Sequence, residues 1–494
     1  VKAVANRTTG GDRRFRAYGR RHLDAIRRRC ALPRDTFLSL KIATSVLPFR
    51  VNDYVLDELI DWSHIPDDPI FQLTFPQAEM LPRDDRCRLG DLVSKGAAAD
   101  ELGAATRGIQ LRMNPHPAGQ MELNVPEVDG LAVSGCQHKY RETVLFFPPA
   151  GQTCHAFCTY CFRWPQFAGI DHLKFSNDEV DLLVGYLRDH TEVNNVLITG
   201  GDPMVMSAAV LRRTVEPLLQ DDLEHITSIR IGTKALSYWP YRFTTDRDAD
   251  DVLRLFEDVR RSGRQLALMA HFSHPREIQT TAARDALRRV RGAGAVVRCQ
   301  APVVRHVNDS PEIWVELWNE VVRLGAVPYY FFIARDTGPR AYFEIPLADA
   351  LEIFTEAFVQ VSGLGRTVRG PVMSATPGKV LLVGDAEVEG RHAFVLKLIQ
   401  ARQPAWVNRV FFARYDRRAV WFDDLEPFAS TRGFFLETPQ RPTRWAPSGP
   451  HVGRTGRSCW RPACRETRLD DRNWRTRRER SLNIPSSRDD IRRA

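Results

Sequence analysis

The segment GQTCHAFCTYCFRWPQF, from Gly151 to Phe167, places Cys154, Cys158 and Cys161 within eight residues. A thiolate is a nucleophile and a metal ligand, so three in one short stretch raise the question of what they hold. Structural zinc takes four ligands, commonly from two Cys-x2-Cys pairs. Here the second pair is missing, and His155 adjoins Cys154 too closely to serve the same ion well. The chain has nine cysteines, an odd number, in a long sequence, which argues against a disulfide framework. Iron–sulfur cubanes are held by thiolates, usually four. Three would leave one iron without a protein ligand, open to a small molecule.

Regular elements begin at about Thr143, where apolar β-rich runs alternate with amphipathic stretches. Predicted strands cover 143–149, 195–201, 226–234, 265–271, 295–302 and 327–334, and predicted helices 178–189, 207–219, 251–263, 312–325 and 348–363. Repeats of roughly 30–40 residues suit parallel strands joined by helical crossovers. The unusual residues all fall at strand C-terminal ends. The cysteines follow the first strand, GGDP (200–203) the second, GTK (232–234) ends the third, HFSHP (271–275) follows the fourth, Gln300 closes the fifth and ARDTG (334–338) follows the sixth. A barrel gathers such ends at one mouth, whereas an open sheet spreads them along a line. The expected class is therefore α/β, a six-stranded partial (β/α)6 TIM-like barrel. Residues 1–135 read as a mostly helical N-terminal region, including a helix over 51–65. Residues 136–385 form the barrel, 386–438 a C-terminal α/β extension, and 439–494 an Arg-rich tail.

The net charge of +9 belongs to that tail, where 15 arginines stand against 6 acids, so the rest is balanced. Low apolar periodicity there predicts disorder rather than a nucleic-acid surface. Cys459 and Cys464 in the tail show no metal-ligand pattern. No apolar run approaches the ~18 residues of a membrane span, and no apolar core follows Arg20-Arg21. A cytoplasmic enzyme with a 43% hydrophobic composition, ample for a full core, is expected.

The spacing Cys-x3-Cys-x2-Cys, with an aromatic before the last cysteine, resembles the radical S-adenosylmethionine superfamily. HKYRETVLFF, VLITGGDP, HFSHPRE, CQAPVVRHVND and PYYFFIARD follow one another as in the lysine 2,3-aminomutase family, over roughly residues 110–385. The resemblance implies a [4Fe–4S] cluster on Cys154, Cys158 and Cys161, with S-adenosylmethionine on the open iron, and pyridoxal 5'-phosphate (PLP). It implies an isomerase, an aminomutase that moves an amino group from the α- to the β-carbon of a small amino-acid substrate. An electron donor such as flavodoxin or ferredoxin would serve it, and a homo-oligomer is compatible with it.

Residue by residue, Lys379 matches the lysine that forms the Schiff base with PLP, and Gln300 and Tyr140 match phosphate contacts. Lys139 stands where the family has an arginine, and Thr143 where it has another. Arg163 matches the partner of the substrate carboxylate. Gly200, Gly201 and Asp202 match the loop beside the methionine moiety, and His271 a contact to S-adenosylmethionine. His274 reads equally as a turn residue. Two departures bear on substrate. The family's aspartates for a distal ammonium would fall near Ala334–Asp336, where Arg335 takes the closest register, and before Lys379, where VMSATPGK has no acid. Free lysine is therefore not the expected substrate. The family's C-terminal zinc cysteines are not recognisable. Two alternatives stand beside this reading: a radical enzyme that modifies a lysine or other side chain of a protein or peptide, and a non-enzymatic iron–sulfur sensor.

Overall fold

The computed structural model describes residues 14–128, 130–177, 179–429 and 433–436. The segment 439–494, with its expected disorder, lies outside the described residues.

An eleven-stranded mixed sheet carries the fold, and its spatial order follows the chain. Its strands are β1 (Cys136–Tyr140), β2 (Thr143–Phe146), β3 (Asn195–Ile198), β4 (Ser228–Thr233), β5 (Gln265–His271) and β6 (Val296–Val303). Then come β7 (Val327–Ile333), β8 (Arg369–Ser374), β9 (Gly378–Val388), β10 (Arg391–Ala401) and β11 (Val410–Arg414). Strands β2 to β8 run parallel. β1 is antiparallel on β2, and β9 to β11 are antiparallel beyond β8. The connecting helices are α1 (Val180–Asp189), α2 (Ala208–Val215), α3 (Ala249–Arg261), α4 (Thr281–Gly292), α5 (Pro311–Arg323) and α6 (Leu347–Gln360).

The six predicted strands are all present, and the parallel set has a seventh member, β8. Its Gly370-Pro371 hides it from a strand pattern, since proline removes a ladder donor; the pairing with β7 is irregular beside it. The boundary expected at 385/386 falls inside β9, so the Lys379 segment and the C-terminal extension are one hairpin. Helix α4 was absent from the sequence reading because its buried stripe, Ala283, Ala286, Leu287 and Val290, is half alanine and interleaved with arginines.

Alternation along the strands decides what faces inward. In β4, Ile229 and Ile231 are buried among the helices, while Arg230 and Gly232 line an internal cavity. In β6, Val297, Cys299, Ala301 and Val303 are buried, and Gln300 and Pro302 line the cavity. The apolar core thus lies between sheet and helices. The sheet curls enough for its distant strands to touch through side chains. Lys139 Nζ on β1 donates to Ala375 O, just after β8, and Gln400 Nε2 on β10 donates to Glu142 Oε1, between β1 and β2, at 2.6 Å.

The N-terminal region contains helices Leu23–Cys30, Arg34–Val46, Pro69–Thr74, Arg83–Ser94 and Ala99–Arg112. Of the helix expected over 51–65, only a short helical segment over 53–59 forms. Arg50–Asn52 pairs as a strand with Ala17–Gly19, and the segment that follows ends in a π-helical turn, Val55–Leu59. Asn52 Oδ1 accepts from Val55 N at 3.1 Å, and Ile60 is extended, which ends the turn. Among the described residues no helix is long and apolar enough to cross a membrane.

Candidate active site

One cavity is lined by Cys154, Cys158, Cys161, Arg163, Gly200, Gly201, Asp202, His271, Gln300, Tyr140, Lys139 and Lys379, so the structure brings together every candidate site residue from the sequence. The cysteine loop has no regular structure of its own and is held from two sides. The N-terminal region clasps one side. Arg50 O accepts from Phe157 N at 2.9 Å, Leu73 O accepts from Thr159 N at 2.9 Å, and Asn52 Nδ2 donates to His155 O at 3.1 Å. On the other side, Gly201 N donates to Gly151 O at 3.0 Å and Asp202 N to Thr153 O at 2.7 Å. This contact explains the glycine pair. A Cβ on Gly201 would lie 2.4 Å from Thr153 O, and Gly200 has φ +143, with its Cβ position 2.2 Å from Gln152 Nε2. The close approach is to the cysteine loop itself. Asp202 accepts from Met204 N at 2.9 Å and Lys234 N at 2.8 Å, which ties the loops after β3 and β4 together. His155 turns away from the cavity, edge-on to Phe15 at 5.3 Å, so it is no fourth ligand beside Cys154.

The three thiols are costly to ionise alone. Burial pushes Cys154 well up, and Asp202, Cys161 and Cys158 add to the rise. Burial, then Cys158, pushes Cys161 to about 12. Burial also raises Cys158, while Lys234 and a 3.3 Å contact with Tyr238 Oη oppose it. A bound cation would reverse this balance. Among the described residues no group of three or more His, Cys, Asp or Glu is drawn together to hold one metal ion. Three thiols lining one cavity are the donor set of an iron–sulfur cluster, in which each thiolate would hold its own iron.

Lys379, on β9 opposite Ser374 of β8, lines the same cavity. Its Nζ donates to Gln400 Oε1 at 2.7 Å and lies 4.7 Å from the Tyr330 ring centroid. Burial pushes its pKa down to about 7, Arg230, Arg369 and Arg335 push the same way, and Glu142 opposes them. A substantial share of the amine is thus neutral near pH 7, as a nucleophilic lysine requires. Close by, Lys139 is buried and its pKa is driven well down, by burial first and then by Arg402, Arg335 and Lys379. The buried Tyr140 hydroxyl has Ser374 beside it but no well-formed hydrogen bond. Basic side chains that are costly to charge alone, grouped around this hydroxyl, fit a phosphate whose negative charge would offset theirs. Gln300 fits less simply: its Nε2 lies 2.9 Å from His271 Nε2. Burial, then Lys234 and Arg163, drive the His271 pKa down to about 3, so the ring is neutral and accepts from the amide.

Arg163 stacks on Phe147 at 4.4 Å and on Phe162 at 4.9 Å, and Arg335 stacks on Phe162 at 4.4 Å. Asp336 turns out of the cavity towards Asn114 Nδ2, 3.3 Å from its Oδ2. The structure thereby settles the register: Arg335 faces the site and Asp336 does not.

Several site residues escaped the sequence reading. Lys234 forms a buried ion pair with Glu277 at 2.6 Å, and Glu277 also accepts from Ser237 Oγ at 2.6 Å and His274 N at 3.0 Å. The GTK segment at a strand end was the available signal. Gln400, Glu142, Arg230 and Arg402 carried none, because strand pairing and curling alone bring them to the site.

No family model matches the chain. A protein of Aquifex aeolicus (strain VF5) named "Putative L-lysine 2,3-aminomutase" is 30% identical over 398 residues, covering 80% of this chain and 91% of that protein. The L-lysine 2,3-aminomutase of Bacillus subtilis (strain 168) is 28% identical over 277 residues, 53% of this chain and 56% of that protein. That of Clostridium subterminale is 27% identical over 236 residues, 48% and 53% respectively. The matches thus span about half the length of these last two. Among solved structures, Streptococcus suis SuiB bound to the precursor peptide SuiA aligns with a TM-score of 0.32 and 13% identity, over 56% of this chain and 58% of that one. That likeness is too slight to carry an argument.

Proposed function

The chain belongs to the lysine 2,3-aminomutase family of radical S-adenosylmethionine proteins, and on that premise we propose that it is a PLP-dependent aminomutase acting on a free amino acid. Cys154, Cys158 and Cys161 would hold a [4Fe–4S] cluster, and Gly200, Gly201 and His271 would border S-adenosylmethionine. Lys379 would carry PLP, with Lys139 and Tyr140 on its phosphate and Gln300 between the two cofactors. Bound together, these groups supply a carbon radical and an electron sink for a migrating amino group. The curled sheet supports reading the fold as a partial barrel, with the C-terminal ends of its parallel strands around the site.

The chain's own contribution is orientation and charge. Arg163, held between Phe147 and Phe162, presents a planar fork suited to a carboxylate. Lys379 presents its amine beside the Tyr330 and Tyr140 rings, 4.7 and 5.6 Å from their centroids. The carrying observation is that Lys379, depressed to about 7, opens onto the same cavity as the three cysteines. A free amino acid is favoured over a protein side chain because Arg163 has no carboxylate partner among the described residues, and a residue within a chain has no α-carboxylate to give.

The test is anaerobic reconstitution with iron, sulfide and PLP. Visible absorbance of bound PLP should vanish in Lys379→Ala while iron content stays. A panel of amino acids with dithionite and S-adenosylmethionine should yield a β-amino product together with 5′-deoxyadenosine. If 5′-deoxyadenosine appears only with a protein substrate, the aminomutase reading fails.

A further inference from the structure

The cavity is unbalanced in charge. Its lining includes Arg163, Arg230, Lys234 and Arg335, besides Lys139 and Lys379 whose charge burial disfavours, and Asp202 is the sole carboxylate among its described lining residues. Asp202 is engaged by the backbone N–H groups of Met204 and Lys234. Lys234 is neutralised by Glu277 behind it. Arg163 and Arg335 have no such partner among the described residues. Both lie on the Phe162 ring, Arg163 4.9 Å and Arg335 4.4 Å from its centroid. Two neighbouring guanidinium groups that remain charged and lack acceptors are costly in a closed site.

The residues flanking them form no ion pair with them among the described residues. Asp336, next to Arg335, acts on it only at a distance: its Oδ2 lies 3.3 Å from Asn114 Nδ2 and its Oδ1 is buried without a hydrogen bond. Ser374, opposite Lys379, brings a hydroxyl to the cavity wall rather than a carboxylate. A substrate with a distal ammonium would add one more cation to this site. A dicarboxylate would relieve both guanidinium groups at once.

We propose that the substrate is an acidic amino acid of the glutamate or aspartate class, its α-carboxylate on Arg163 and its distal carboxylate on Arg335. The assignment rests on the aminomutase reading for the chemistry, but the dicarboxylate site itself rests on the two arginines. Arg335 is then a specificity-determining residue: the bidentate fork selects a carboxylate, and the missing acid disfavours an amine.

The experiment titrates anaerobically reconstituted protein with L-glutamate, L-aspartate and L-lysine and follows the visible band of bound PLP. One of the acidic amino acids should perturb the band at least tenfold lower in concentration than L-lysine. Arg335→Gln should erase that difference with iron and PLP contents unchanged, and Arg335→Lys should restore part of it. L-lysine acting at the lower concentration, or an unchanged preference in Arg335→Gln, overturns the proposal. So does loss of PLP from Arg335→Gln, which would assign Arg335 to the phosphate. Glutarate, which has no amino group, gives an independent reading by thermal shift. It should raise the Tm of the parent and not that of Arg335→Gln; equal shifts overturn the two-arginine site. If no PLP band forms at all, the aminomutase reading fails while glutarate still decides the dicarboxylate site.

Discussion

Lys379 Nζ lies 2.7 Å from Gln400 Oε1, and the same amide donates through Nε2 to Glu142 Oε1 at 2.6 Å. A neutral side chain therefore relays between the depressed lysine and the one nearby carboxylate that opposes the depression. With Gln400 in place the charge of Glu142 acts at one remove, and the amine keeps a pKa of about 7.

Replacing Gln400 with Glu would put a carboxylate in direct contact with Lys379. An opposite charge at that range stabilises the ammonium and raises its pKa, by about 1–3 units. The pH midpoint for PLP loading, followed by visible absorbance, should move upward by about that amount. Glu142→Gln removes a charge that raises the pKa, so its midpoint should move down. An identical profile in all three proteins would show that Lys379 does not govern loading.

Cys154→Ala, Cys158→Ala and Cys161→Ala should each lose most cluster iron and its paramagnetic signal on reduction. Cys136→Ala and Cys299→Ala should keep both, because those thiols are buried among apolar residues and lie off the cavity wall. Normal iron content in Cys158→Ala would rule out the three-cysteine assignment.

Gly201→Ala forces a Cβ to within 2.4 Å of Thr153 O, one residue before Cys154. The backbone must shift, so iron retention should fall while far-ultraviolet circular dichroism stays near the parent's. Gly185→Ala is the control: it sits in α1 with nothing within 4 Å of its Cβ position. It should keep full iron and gain about 0.5–1 kcal/mol of stability. Equal iron contents in the two variants would count against the glycine contact.

Asn52 is fully buried and donates to His155 O and to Tyr238 O, 3.1 and 2.9 Å away. Asn52→Ala leaves two buried carbonyls without that donor, at a cost of about 1–3 kcal/mol for each group left unsatisfied. Urea unfolding should show the loss, and the cluster should bleach faster in air because His155 lies inside the cysteine loop. A variant as stable as the parent would show that the N-terminal clasp is incidental.

The sequence by itself determined the parts that are local. Apolar runs named six parallel strands because strands covered by helices stay apolar. The three-cysteine spacing, GGDP and Lys379 could be read because each is contiguous or ends a strand. It also exposed the missing acid before Lys379, since that is a statement about residue types in one segment. Other features required the tertiary structure, for reasons of distance and direction. Curling of the sheet brought Gln400 and Glu142 to Lys379, although 258 positions separate the two. Strand β8 formed despite its Gly-Pro because pairing with β7 overrode the local signal. The 51–65 helix was cut to 53–59 because Asn52 is claimed by a strand and by the cysteine loop and Ile60 is extended, features that its own periodicity does not encode. Finally, Arg335 and Asp336 are neighbours in sequence, and only the path of the loop after β7 decided which of them faces the cavity.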